Sequence, residues 1–161
     1  MNTQTSLLAL LVSLAAGAVV PIQAGANAAL GRGLGHPLWA TLVSLAVSAV
    51  AAVAVVLLLR VPAPDFSQAT QGPAWTWLGG IVGVFYITAA LVLAPRIGAG
   101  AFMATVIAGQ LLAALAFDHY GLFGFAARAV TPGRLAGAGL IVVGVVVMQF
   151  SSSAVAAVKG G

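Results

Sequence analysis

Hydrophobic residues fill this chain in five long blocks, and few charges separate them. Residues 1–31, 33–59, 66–95, 97–117 and 135–158 contain no Asp, Glu, Lys or Arg. Even the shortest run, 97–117, is long enough to matter, because about 20 apolar residues carry a helix across the hydrocarbon core of a bilayer. Backbone N–H and C=O groups find no water there, so each run is expected to be helical. Apolar and polar positions do not alternate, which removes an outer-membrane barrel. The pattern predicts an all-α integral membrane protein. Its transmembrane helices fall over about 5–30, 37–59, 75–94, 99–117 and 133–151, in one domain spanning 1–161.

Local signals punctuate these spans. Pro21 lacks an N–H and is expected to interrupt or kink the first. Trp75 and Trp77 open the third span and suit the headgroup belt. The segment from Arg60 to Ala74 holds Pro62, Pro64, Asp65 and Pro73 and is the clearest water-exposed connection. A second connection runs from Asp118 to Pro132. Gly31-Arg32-Gly33-Leu34-Gly35 reads as a flexible turn between the first two spans. Leu7 to Ala18 resembles the apolar region of a signal peptide, but no Lys or Arg precedes it and the run continues to Leu30. It is therefore kept as a first transmembrane helix.

Composition narrows the function classes. Hydrophobic residues make up 62% of the chain and charged residues 5%, against about 25% charged in a soluble domain. That excludes an ordinary soluble enzyme, a nucleic-acid binder and a disordered segment. There is no Cys, so disulfides, thiolate metal sites and Cys nucleophiles are excluded. The two His, His36 and His119, lie far apart, and the two acids are Asp65 and Asp118. No catalytic or metal constellation and no cofactor motif can be assembled from them.

Five spans place the termini on opposite sides. Arg60, Arg128 and Arg134 fall on the N-terminal side; Arg32, Arg96 and Lys159 fall on the other. Cytoplasmic loops normally carry the Lys/Arg excess, so a three-to-three tie gives no preferred orientation. Many transporters are built from two inverted repeats. A five-helix chain inserted both ways would supply that pair by dimerisation. The expected assembly is an antiparallel homodimer of ten helices, each chain partnered by a second, upside-down copy of itself and by membrane lipid. Gly79 and Gly83, and Gly133, Gly137 and Gly144, form small-residue stripes that permit close helix contact. They could serve between copies or within one chain.

The amides inside the apolar runs need partners, since a buried amide without one costs roughly 2–7 kcal/mol. Gln23 and Asn27 are four residues apart and share a helix face. Gln110 lies mid-run in the fourth span and Tyr86 inside the third. These residues could line a polar cavity for a small-molecule substrate, or hydrogen-bond between helices. Ser44, Ser48 and Thr88 fit helix-to-helix bonding. Trp39 serves as an interface anchor or a ligand contact. Asp118, beside His119, is the nearest candidate for proton coupling; it could equally stabilise a loop or pair with Arg128 or Arg134. Arg96, after Pro95, caps a short turn and snorkels, or stands at the mouth of a substrate path.

Several stretches look familiar together. They are Pro21-Ile22-Gln23-Ala24-Gly25-Ala26-Asn27, Gly79-Gly80-Ile81-Val82-Gly83-Val84-Phe85-Tyr86, Pro95-Arg96-Ile97-Gly98, Gly109-Gln110 and Asp118-His119-Tyr120-Gly121-Leu122-Phe123-Gly124. Their order resembles the small five-helix YdcZ-like family of the drug/metabolite transporter superfamily, across nearly the whole chain. The resemblance implies a ten-helix inverted-repeat transporter formed by two chains or by one fused chain, and it names no substrate. The family's recurring residues map to Gln23, Asn27, Tyr86, Gln110 and Asp118.

The expectation is a dual-topology exporter in a bacterial inner membrane, moving a neutral or weakly charged small molecule by alternating access. A passive channel of the same architecture and a non-transporting scaffold are the rivals. Because the charge tie governs orientation, adding two or three Lys to the 60–74 loop is expected to drive that loop to the cytoplasm. Accessibility labelling of cysteines placed at each terminus checks this: labelling from both sides before the change, from one side after it. An orientation indifferent to the added Lys would defeat charge control.

Overall fold

The computed structural model describes residues 3–159, with side-chain surroundings described for 7–67 and 70–151. Among the described residues every regular element is helical. They are α1 (Thr3–Leu34), α2 (Pro37–Leu58), α3 (Phe66–Gln71), α4 (Leu78–Ile97), α5 (Ala99–Tyr120) and α6 (Pro132–Lys159), with single 3-10 turns at Ala74–Trp77 and Leu122–Gly124. Five stretches are long and apolar enough to cross a membrane: Leu7–Leu34, Pro37–Leu58, Ala74–Ile97, Ala99–Tyr120 and Pro132–Ser151. These are the five expected spans.

The differences lie at helix ends and breaks. α1 continues unbroken through Pro21, so the expected interruption does not occur. Proline removes one N–H from the ladder, and a membrane helix can tolerate that single loss. α4 likewise runs through Pro95. The Gly-rich stretch after Leu30 is not a flexible turn either, because Gly31 to Leu34 form the last turn of α1. The chain reverses at Gly35, whose φ of 76° favours a residue without a Cβ. His36 then caps α2, its Nδ1 accepting from the Leu38 N–H at 3.2 Å. The water-exposed 60–74 segment contains the short helix α3. Asp65 caps it by accepting from the Ser67 N–H at 2.9 Å. The hydrogen bonds from Ser67 hold the Asp65 carboxyl below the ordinary carboxylate range.

The chain forms two compact units, Met1–Arg96 and Ile97–Gly161. In the first, Ala28, Ala40, Ile87 and Leu91 make the buried core, with Leu30, Leu45 and Tyr86 against it. Small residues, Ala28, Gly31 and Ala40, leave room for Ile87 and Leu91 of α4, as expected where packing rather than water exclusion drives association. Gly31 is the tightest point: a Cβ there would lie 3.1 Å from Leu91 Cδ2 and 3.6 Å from Ala40 Cβ. The Thr41 and Thr88 hydroxyls share a hydrogen bond of 3.0 Å between α2 and α4. That is the helix-to-helix role expected of Thr88, whereas Ser44 and Ser48, expected to bond in the same way, have no such hydrogen bond among the described residues. The stripes at Gly79 and Gly83, and at Gly133, Gly137 and Gly144, are different: a Cβ at any of these positions would meet nothing within 4 Å. They do not form the close seams of their own units.

In the second unit, the Gln149 amide of α6 donates to the Thr105 hydroxyl at 3.0 Å and to the Ala101 carbonyl at 3.4 Å, both on α5. α5 ends at Gly121, left-handed at φ 62°, whose N–H returns to the Phe117 carbonyl. This is the usual way glycine satisfies an orphan carbonyl at a helix end.

Gly31→Val should destabilise the protein by about 1–3 kcal/mol, the usual range for overpacking a closed contact, read as a lower melting temperature in detergent. Gly79→Ala, in open space, should leave it unchanged or slightly raised. Equal tolerance at both positions would contradict the close approach at Gly31.

Candidate functional site

Helical spacing brings Gln23 and Asn27 onto one face of α1, and α4 sets Tyr86 opposite them. Together with Val20, Ala24, Ile87 and Ala90 they line one cleft. The space left is about 10 Å³, roughly the minimum for one water molecule. Asn27 is buried, Tyr86 half-buried and Gln23 exposed. Among the described residues, no protein hydrogen bond holds the Gln23 or Asn27 side-chain amide. Three of the sequence-designated residues therefore converge, and the two amides remain available to an outside partner.

Trp39 belongs to a different cleft. It is 59% exposed and lines a space of about 600 Å³ with His36, Leu38, Leu42, Leu45 and Val84. That volume falls in the range of small-molecule sites, about 300–1,000 Å³. The walls are chiefly apolar, with His36 and Thr41 as the polar groups. His36, which composition left unassigned, stands here as both helix cap and cleft wall.

Gln110 lies on α5 in the second unit and is exposed. Among the described residues its amide likewise has no hydrogen bond within the protein. The pairing of Gln149 with Thr105 went unread in sequence, although an amide four residues from Val145 in an apolar run was a signal of the same kind as Gln110.

Asp118 stands near the end of α5 and forms an ion pair with Arg134 in the first turns of α6. Side-chain exposure is 23% for Asp118 and 36% for Arg134, so the pair is partly shielded. The Arg128 N–H donates to the Asp118 backbone carbonyl at 2.6 Å. Thr131 caps α6 by accepting from the Arg134 N–H at 3.3 Å. The segment from Asp118 to Gly124 is thus a compact turn. Gly121, Phe123 and Gly124 all take positive φ, and Phe123 packs edge-on against Phe117 at 4.9 Å between ring centres. A Cβ on Gly121 would lie 3.3 Å from that of Ala127, a tight contact at a positive φ that already disfavours a side chain. This segment ties α5 to α6.

No group of three His, Cys, Asp or Glu that could hold a metal ion occurs among the described residues.

A family model described as "Putative inner membrane exporter, YdcZ" matches residues 8–147 of the chain. No curated protein and no solved structure matches it.

The ion pair generates a test. Asp118→Asn and Arg134→Gln should each lower stability by about 1 kcal/mol, the scale of a partly exposed pair. The double variant should cost less than the two losses added together. Thermal unfolding of the four proteins measures this as a double-mutant cycle; strict additivity would show that the pair contributes no coupling.

Proposed function

The chain belongs to the YdcZ family of inner membrane exporters, and from that premise we propose that it exports a small neutral or weakly charged molecule by alternating access, as an antiparallel homodimer. Multi-pass residence in the inner membrane follows from the family and from five helices long and apolar enough to cross. The observation that carries the substrate reading is the state of the intramembrane amides. Gln149, Thr41, Thr88 and Thr105 have helix-to-helix partners; Gln23, Asn27 and Gln110 have none among the described residues. An amide at membrane depth needs water, ligand or another chain, since leaving it alone costs roughly 2–7 kcal/mol. A translocation path supplies the first two and a second copy the third.

In this reading Gln23, Asn27 and Tyr86 of each copy face a shared path, and Gln110 on α5 is a further amide open to an outside partner. Amide and phenol groups offer both donors and acceptors and carry no charge, which suits an uncharged or zwitterionic ligand better than a strong cation. Trp39 contributes an aromatic wall nearer the membrane boundary. The five helices act as one transmembrane domain. The three-to-three Lys/Arg tie permits both insertions, and the inverted pair provides the two exchanging halves. Asp118, engaged by Arg134, serves the α5–α6 turn; proton coupling through it would require that pair to open.

Gln23→Leu and Asn27→Leu should abolish saturable exchange in proteoliposomes while the protein still folds and inserts. Retained transport would remove these amides from the path. Unsaturable flux from the wild-type protein would point to a channel, and full biological activity of both variants to a scaffold.

A further inference from the structure

We infer that Arg32 and Arg96 form a binding site for a phosphate-bearing anion at the membrane boundary. Arg32 lies in the last turn of α1 and Arg96 in the last turn of α4. With five spans, both helix ends reach the same face of the membrane. The two side chains line a single cavity of about 290 Å³, shared with Gly31, Pro37, Leu91 and Pro95.

Two guanidinium groups at one cavity repel each other unless something negative joins them. Among the described residues no acidic side chain serves that purpose. The chain has two carboxylate side chains. Asp65 caps α3 through the Ser67 N–H, and Asp118 is paired with Arg134. Among the described residues neither Arg32 nor Arg96 has an ion pair or side-chain hydrogen bond. The C-terminal carbonyls of α1 and α4 supply only about half a negative charge each, which leaves the cavity positive.

The donors fit phosphate. A guanidinium presents a planar fork that matches two phosphate oxygens at once. Backbone N–H groups do not compete for the role: Pro37 and Pro95 have none, the Leu38 N–H is taken by His36 Nδ1 at 3.2 Å and the Trp39 N–H by the His36 carbonyl at 3.2 Å. The cavity exceeds the needs of a bare ion, and the Leu91 side of its wall is apolar. A phosphoester with a carbon-bearing substituent uses both features. Such a group could be the headgroup of an anionic phospholipid or a soluble organic phosphate. The site is built within one unit of one chain, so it stands independently of the dimer and of the exported substrate.

The purified protein in phosphatidylcholine nanodiscs, with and without phosphatidylglycerol, separates the sources when compared with glycerol 3-phosphate titrated at constant ionic strength. At least one of the two ligands should raise the melting temperature. Arg32→Gln and Arg96→Gln should each weaken that ligand about tenfold, while Arg60→Gln, on the opposite face, should leave it unchanged. Stabilisation by phosphatidylglycerol alone assigns the site to lipid; stabilisation by glycerol 3-phosphate assigns it to a soluble phosphate. Should a Gln variant fail to fold, Arg32→Lys and Arg96→Lys keep the charge and lose the fork, and are expected to bind more weakly than wild type. Stabilisation by neither ligand, or equal stabilisation of wild type and the Arg32 and Arg96 variants, overturns the site.

Discussion

Within hydrocarbon no water is present to take up a hydrogen bond, and the remaining features of this protein follow from that constraint. It makes the backbone helical wherever the chain crosses. It also forces each polar side chain in a span to find a partner by another route. Short hydroxyl side chains solve the problem locally: Ser13 bonds to the Ala9 carbonyl at 2.8 Å and Thr105 to the Ala101 carbonyl at 2.9 Å. The Thr41–Thr88 and Gln149–Thr105 bonds solve it between helices. Among the described residues neither solution is applied to the Gln23, Asn27 and Gln110 amides, nor to the Ser44 and Ser48 hydroxyls, and an amide has more donors and acceptors to satisfy than a hydroxyl.

The same medium removes the usual force for packing helices, since lipid tails are as apolar as leucine. Close contact must replace it. In the first unit the contact is made by Ala28, Gly31 and Ala40 against Leu91, and a single added methyl group at Gly31 would press on Leu91. At the end of α5, Gly121 combines a left-handed backbone with a close approach to Ala127. Two glycines thus hold their places for steric reasons, while Gly79, Gly83, Gly133 and Gly137 have space around them. Under the proposed assembly, that space is where a second copy can approach.

The spans were legible in sequence because each is a long uncharged run, and charge is what a bilayer excludes most strongly. The convergence of Gln23, Asn27 and Tyr86 was partly legible. Spacing of four placed the two amides on one face, but only packing could show that α4 turns Tyr86 toward them. Helix ends were less readable. Gly31 and Gly33 look like turn residues by propensity, yet both lie in the last turn of α1, Gly31 packed against Leu91 and Ala40, and the reversal falls at Gly35. The shared cavity of Arg32 and Arg96 was not readable, because 63 intervening residues separate two side chains that only the fold brings together. The partner of Asp118 was narrowed to Arg128 or Arg134; the structure gives Arg134 the side chain and Arg128 a backbone bond.

The few charges also bear on how the chain enters the membrane. Pairing Arg134 with Asp118 makes that end of the protein electrically closer to neutral, and the question is whether this breaks the three-to-three balance. It does not, because insertion follows the positions of Lys and Arg, and acidic residues contribute little to it. Lys159 closes the count on the other face; its side chain lies outside the described residues. The three-to-three count is therefore unchanged by the ion pair, as both of the proposed insertions require. If both occur, as proposed, the Arg32–Arg96 cavity of one copy faces one side of the membrane and that of its partner faces the other. Each surface then carries one unneutralised cationic pocket, so an inverted dimer would present the same anion chemistry to both sides.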